Sequence, residues 1–338
     1  MAGGYSFQNS GTFDNAEIQA RVDVILKDLG SGKIELQRNA AEQLRLLAKR
    51  SSGNREIIGR AGAIPLLVEL LSSQDSQVQV HAVTALLNLS INHSLKDAIV
   101  DANAIPPLVE VLKNGCLEAK ENAAATLFSL STPVTNKASI GAAGAFPPLV
   151  DLLRDGTYRG KRDAASAIFN LGILTSNKAL AVRAGAVTPL MKFMLDQNSK
   201  LHDEALATLA VLSSHSEGQV ALGRVNIVPI LVELIISGES RNKENAIGIL
   251  LDLGGSDPSH IAAAVSLGVY GPLGELTCTG SEKGRRRALR LIQLIRHLHL
   301  DDRGGGSCSK QCTFSLRYLQ LSSLGLSRNI MPFRHITI

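Results

Sequence analysis

Apolar and polar positions along this chain follow helical spacing, and the pattern returns at a fixed interval. Six apolar segments align by eye: AGAIPLLVELL from Ala61, ANAIPPLVEVL from Ala102, AGAFPPLVDLL from Ala143, AGAVTPLMKFM from Ala184, VNIVPILVELI from Val225 and LGVYGPLGELT from Leu267. Their starts are 41, 41, 41, 41 and 42 residues apart. A second phrase keeps step with the first: ALLNLS at 85–90, TLFSLS at 126–131, AIFNLG at 167–172, TLAVLS at 208–213 and ILLDLG at 249–254. Two phrases sharing one period define an internal repeat, and a repeat has to be read before anything else.

One unit can be read residue by residue. Gly62 permits a sharp turn, and Pro65 suits the first turn of a new helix, where its missing N–H costs nothing. Ile64, Leu67, Val68 and Leu71 then recur at helical spacing as an apolar face. The polar run Ser72-Ser73-Gln74-Asp75-Ser76 ends that helix and offers N-caps for the next. Val78, Ala82, Ala85, Leu86 and Leu89 give the following helix its buried face. Ala82 recurs as Ala123, Ala164, Ala205 and Ala246, so a small residue is required where neighbouring helices approach. KDAIVDA at 96–102 predicts a third, brief helix before the next glycine turn.

Such a unit cannot bury its apolar face alone, and stacking on its neighbours solves that problem. The period falls within the roughly 40–47 residues of HEAT and armadillo repeats. The short helix, the Gly-Ala-apolar-Pro turn and the ALxNLS-like third helix resemble the armadillo pattern. The expected fold is all-α: a right-handed solenoid of about seven armadillo units. A divergent first unit at about 17–60, with RNAAEQLRLLAK as its third helix, precedes units at 61–101, 102–142, 143–183, 184–224 and 225–266. A closing unit occupies 267–300. Residues 1–16 and 301–338 leave the register and are expected to be disordered, or in the second case a variant tail.

The segments ELQRNAAEQLRLLAKRSSGNREIIGRAGAIPLLVELLSS, NLSINHSLKDAIVDANAIPPLVEVLKNG and GSEKGRRRALRLIQLIRHL resemble the armadillo region of plant U-box ubiquitin ligases. In that family the armadillo region recruits the substrate or partner, and a separate U-box docks the ubiquitin-conjugating enzyme. Residues 1–16 do not resemble a U-box, so the resemblance carries over the interaction role. It implies a non-catalytic scaffold, or the substrate-recognition part of a ligase whose U-box acts in trans or in a longer form. Ubiquitination substrates and signalling kinases are candidate partners.

Armadillo solenoids present their stacked third helices along a concave groove. The Asn of ALLNLS falls in register as Leu47, Asn88, Ser129, Asn170, Val211 and Asp252. One turn earlier stand Thr84, Ala125, Ser166, Ala207 and Gly248, and two turns earlier His81, Asn122, Asp163, Glu204 and Asn245. From these, the candidate protein-binding positions are His81, Thr84, Asn88, Asn122, Ser129, Asp163, Ser166, Asn170, Glu204 and Asp252. In peptide-binding armadillo proteins that Asn bonds the backbone of an extended peptide, and an amide offers both donor and acceptor for the task. Helices stacked roughly 8–10 Å apart would each face about three residues of a strand rising about 3.3 Å per residue. The competing reading is that these polar side chains merely solvate or cap their helices. Nuclear-import adaptors of this type place Trp one turn before the Asn; this chain contains no Trp, so basic import signals are not the expected ligand. Asp163, Glu204 and Asp252 give the C-terminal half an acidic cast, which would favour a partly basic partner.

Composition sharpens this picture. The net charge is +5, but residues 281–338 hold 11 Lys/Arg against 3 Asp/Glu, which leaves 24 against 27 elsewhere. The basicity belongs to one end and forms no stripe for nucleic acid. Lys283, Arg285, Arg286 and Arg287 begin the last helix, where they read as a solvated cap or as weak attraction to acidic partners or membrane surfaces. No apolar run approaches the roughly 18–20 residues of a membrane span. The N-terminus has no secretory core and Cys116, Cys278, Cys308 and Cys312 form no disulfide framework, so a cytoplasmic or nuclear setting is expected. The phosphate-loop-like stretch Gly156–Arg162 has the wrong spacing, and His297, His299, Cys308 and Cys312 match no zinc pattern. Neither a cofactor nor catalysis is expected.

Overall fold

The computed structural model describes residues 15–298, Gln197 excepted, and these residues form twenty α-helices and no strand. The first set is α1 (Asn15–Leu29), α2 (Ile34–Arg50) and α3 (Ser52–Arg60); the second is α4 (Ala63–Leu70), α5 (Ser76–Ser90) and α6 (His93–Asp101). Next come α7 (Ile105–Asn114), α8 (Leu117–Leu130) and α9 (Val134–Ala142), then α10 (Phe146–Asp155), α11 (Tyr158–Gly172) and α12 (Thr175–Arg183). The fifth and sixth sets are α13 (Val187–Leu195), α14 (His202–Ser213) and α15 (Ser216–Gly223), and α16 (Val228–Ser237), α17 (Ser240–Ser256) and α18 (Ser259–Ser266). The array closes with α19 (Tyr270–Thr279) and α20 (Glu282–His297). Residues 1–14 and the tail expected at 301–338 lie outside the described residues.

One backbone device separates the units. Gly62, Gly144, Gly185 and Gly268 hold φ between +81° and +86°, each just before α4, α10, α13 or α19. Counted from the short helix ahead of the turn, these are second helices, and α5, α11, α14 and α20 after them third helices. The two remaining turns of this kind use Asn103 at φ +58° and Asn226 at φ +47°. Only glycine, and next to it asparagine, occupies the left-handed region cheaply. The sequence variation at this site is therefore confined to those two residue types. Proline in the first turn of α7, α10 and α16 restarts the helix immediately afterwards.

The third helices α2, α5, α8, α11, α14, α17 and α20 pack each on the next and form one continuous layer. Ala82, Ala123, Ala164, Ala205 and Ala246 sit at those contacts with no exposed surface. The second helices contact in a parallel layer, as α7 does α10 and α10 does α13, while the short helices α9, α12 and α15 join behind them. The apolar interior runs without a break from Ile18 to Ile295. This is the α-solenoid expected from the period.

Helix ends are finished by side chains that also repeat. Asp75 caps α5, accepting from the amides of Gln77 and Val78, and its second oxygen takes the Arg38 guanidinium at 2.7 Å. At the other end of the third helices, the last carbonyls need donors. Asn54, Asn136 and Asn177 donate to the carbonyls of Leu47, Leu130 and Leu171 at 2.9, 3.0 and 3.1 Å. Basic residues beside them add charge at the negative end of the helix dipole. Arg55 reaches the Ala48 carbonyl at 3.0 Å, Lys96 the Ser129 carbonyl at 2.6 Å and Lys137 the Ser131 carbonyl at 2.5 Å. Burial holds the Lys96 and Lys137 amines below the ordinary lysine range.

Candidate functional site

The layer of third helices presents one row of side chains per turn. On five of them the alternation of buried and half-exposed residues repeats at 41 residues, from Ala82–Ser90 through Ala123–Ser131, Ala164–Gly172 and Ala205–Ser213 to Ala246–Gly254. The first unit departs from this spacing. Leu47, expected beside Asn88 in the register, is buried at 2% exposure, whereas Leu46 occupies that surface position at 43%. The divergent unit is offset from the second by 42 residues because helix α2 must turn Leu44 and Leu47 inward against α5.

Most of the expected polar positions face the same surface, and many are bonded from one unit to the next. Asn88 Nδ2 donates to the Arg45 carbonyl at 3.1 Å, and Ser129 Oγ to the Ser90 carbonyl at 3.0 Å. Asn170 Nδ2 reaches Ser131 Oγ at 3.3 Å, and Asp252 accepts from Ser213 Oγ at 2.7 Å. Asn122, only 2% exposed, donates to Thr84 Oγ1 at 2.8 Å and accepts from Arg159 at 2.5 Å. A ladder of side-chain bonds thus runs along the third helices, each rung spanning 37–43 residues of sequence. An amide has two N–H donors and a carbonyl oxygen, so Asn88 and Asn170 keep acceptor and donor capacity after their rung is made. Ser166 and Glu204 are half-exposed on the same face.

Electrostatics modify the expected acidic cast. Burial raises the Asp163 carboxyl above its usual range, against the pull of Arg162 and Arg159, each 3.6 Å away. Asp252 lies in the field of Lys178 and Arg287. Two of the three acids that suggested a basic ligand are therefore matched by cations of this chain. His81 stays toward its neutral form, first because it is half-buried and next because Arg45 is near, and its Nδ1 is buried without a hydrogen-bond partner.

Reading the sequence for polar residues missed an apolar row. Leu87, Phe128, Phe169, Ala210 and Leu251 occupy one position in five successive units, immediately before the Asn88 register, and Phe128 is 36% exposed. Ile91 and Ile173, the C-caps of α5 and α11, are 46% and 39% exposed. The signal was present in the repeated phrase itself, in the residue preceding each Asn, Ser or Asp. The phosphate-loop-like stretch is a helix start instead: Thr157 caps α11, and Glu121 Oε1 accepts from Thr157 N at 3.1 Å and from Thr157 Oγ1 at 2.5 Å. Among the described residues no group of His, Cys, Asp and Glu could hold a metal ion; His299, Cys308 and Cys312 lie outside them. Cys116 and Cys278 are exposed. Among the described residues no single helix is long and apolar enough to cross a membrane.

Three-helix units joined at left-handed turns, with the third helices stacked into one continuous face, define an armadillo-repeat solenoid, a fold typical of binding scaffolds. Residues 21–298 match the plant U-box protein ARM repeat region family, and the chain belongs to that family. It is 60% identical over 74 residues to the E3 ubiquitin-protein ligase SPL11 of Oryza sativa subsp. japonica, a match covering 22% of this chain and 11% of that protein. It is 65% identical over 68 residues to U-box domain-containing protein 14 of Arabidopsis thaliana, covering 20% of this chain and 11% of the relative. The matched stretch is thus about a tenth of each relative. Among solved structures, an engineered protein superposes with a TM-score of 0.70 at 28% identity, over 84% of this chain and 68% of that one. Computationally designed armadillo repeat proteins for modular peptide recognition superpose with a TM-score of 0.62 at 25% identity, over 68% of this chain and 99% of theirs.

Proposed function

We propose that this chain is a non-catalytic protein-interaction scaffold whose third-helix groove holds an extended segment or surface of a partner protein. The observation that carries the reading is the pairing of two rows on one face. Leu87, Phe128 and Phe169 offer apolar contact, and beside them Asn88 and Asn170 keep free hydrogen-bonding capacity. Apolar contact supplies affinity, and amides answer the unpaired backbone of a strand. The designed relatives named for peptide recognition support a peptide-like ligand. The recognising unit is the array at 17–300, working in the cytoplasm or nucleus, with ubiquitination substrates or signalling kinases as candidate partners.

A second reading is that the chain is the substrate-recognition part of a ubiquitin ligase, acting with a U-box in trans or in a longer form. Its support is the family membership and the relatives named as U-box proteins. Reconstituted ubiquitin transfer with an added U-box protein tests it: transfer to a captured partner favours it, and inactivity with every conjugating enzyme leaves the scaffold alone.

The groove assignment is tested by capture from plant lysate with the wild type, the Asn88→Ala/Asn170→Ala double variant and Phe128→Asp. Circular dichroism checks each fold, because the Asn88 and Asn170 rungs also join neighbouring units. Partners retained by the wild type and lost by both folded variants support the groove. If the same proteins bind all three, recognition lies elsewhere.

A further inference from the structure

Where α11, α14, α17 and α20 meet, the third-helix face deepens into a concavity at the C-terminal end of the array. Its apolar lining comes from Phe169, Ile173, Val211, Leu251 and Leu294. Lys178, Arg287, Arg290 and His297 surround these, and one carboxylate, Asp252, lies among them. Three permanent cations therefore face a single acid.

Asp252 attracts Lys178 and Arg287, and Glu244 attracts Arg287, but none of these cations is held in a direct ion pair among the described residues. Asp252 accepts from Ser213 Oγ at 2.7 Å, and no described carboxylate lies within salt-bridge distance of Lys178, Arg287 or Arg290. Lys178 donates to the neutral Ser214 hydroxyl at 2.7 Å and Arg287 to the Glu244 carbonyl at 2.6 Å. Elsewhere among the third helices several arginines do have ion pairs, Arg159 and Arg162 with Asp163 and Arg38 with Asp75. At the start of α20, Lys283 and Arg286 meet Glu244 and Glu282. Desolvation of the Arg287 guanidinium, which lies over Gly248, makes a further anion favourable there.

We infer that this concavity docks a short acidic segment of a partner protein, an apolar side chain entering between Phe169 and Leu294 while flanking Asp or Glu residues meet Arg287, Arg290 and Lys178. The inference rests on the groove reading above and specifies the chemistry of one end of it. It assigns an attractive role to part of the basic last helix, and it reverses the preference for a basic partner that Asp163, Glu204 and Asp252 suggested in the sequence. An apolar anchor with matching charges around it is the arrangement that gives an interface both affinity and selectivity.

The test uses the full chain and fluorescein-labelled synthetic peptides, GSDEDLFEDESG and its charge-reversed counterpart GSKRKLFRKRSG, read by fluorescence anisotropy. The acidic peptide is expected to bind and the basic one not to. Arg290→Glu, inside the concavity, is expected to weaken binding roughly ten-fold or more, and added salt to weaken it further. Arg285→Glu makes the same change of charge on an exposed residue of α20 outside the concavity, and is expected to change binding less than about two-fold. Equal losses in the two variants would mean diffuse attraction to a basic helix and would overturn the proposal. So would absence of binding, equal binding of both peptides, or displacement of the acidic peptide by phosphatidylserine vesicles. If the acidic peptide fails to bind while the Asn88, Asn170 and Phe128 variants still lose their captured partners, this inference falls and the groove reading stands.

Discussion

Replacing Gly144 by alanine isolates the backbone requirement that spaces the units. Gly144 sits at φ +81°, and an added Cβ would meet nothing within 4 Å, so packing contributes no penalty. What remains is the left-handed conformation, which costs an L-residue about 1–2 kcal/mol, offset by up to about 1 kcal/mol from the reduced freedom of the unfolded chain. The expected net loss for Gly144→Ala is about 1 kcal/mol. Gly144→Asn should lose less, because Asn103 and Asn226 already hold this conformation in their own units. Gly141→Ala, three residues earlier, is different in kind: its Cβ would run into the amide of Asn177, which donates to the Lys137 and Leu171 carbonyls. Both carbonyls also accept from backbone amides, so losing the two Asn177 hydrogen bonds costs about 0.5–1.5 kcal/mol each, on top of the clash. Urea unfolding followed by circular dichroism measures all three, with the slopes compared because solenoids can unfold in stages. Equal losses for Gly144→Ala and Gly144→Asn, or none for alanine, would refute the argument from handedness.

Other consequences follow from the packing and the helix ends. Ala164→Leu, at a fully buried contact between third helices, should destabilise by about 1–3 kcal/mol through overpacking, measured in the same urea series. Asn136→Ala strips the Leu130 carbonyl of its donor and should cost about 1–3 kcal/mol, with hydrogen exchange rising first at the end of α8 and in α9. Because burial lowers the Lys137 pKa, the unfolded chain binds more protons than the folded one between that lowered value and the ordinary value of about 10.4. Wild-type stability should therefore gain relative to Lys137→Met as pH rises through that window, and parallel pH profiles would contradict the assignment.

The sequence carried the solenoid because its cause is periodic. Left-handed turns, restarting prolines and small alanines must recur wherever units stack, so Gly62, Pro65 and Ala82 could be read without coordinates. The closing of helix ends was equally periodic but went unread: Asn54-Arg55, Asn136-Lys137 and the lone amide of Asn177 look like ordinary surface residues until their carbonyl partners are seen. The ladder through Asn88, Ser129 and Asn170 was out of reach for another reason. Whether an amide bonds its neighbouring unit or faces outward depends on the rise and rotation between stacked helices, which one unit's pattern does not encode. Leu47 shows the same limit, since its place was set by counting 41 residues where the packing of α2 required 42. Charge was legible as composition but not as a field: Asp163 and Asp252 looked free in the sequence and are surrounded by arginines and a lysine in the fold.

Hydrogen–deuterium exchange of the chain, alone and saturated with a captured partner, tests the central claim most directly. Recognition through the third helices predicts protection concentrated in α5, α8, α11, α14 and α17, with the second helices α4, α7, α10, α13 and α16 unchanged. Protection confined to the second helices, or to α20 alone, would contradict it.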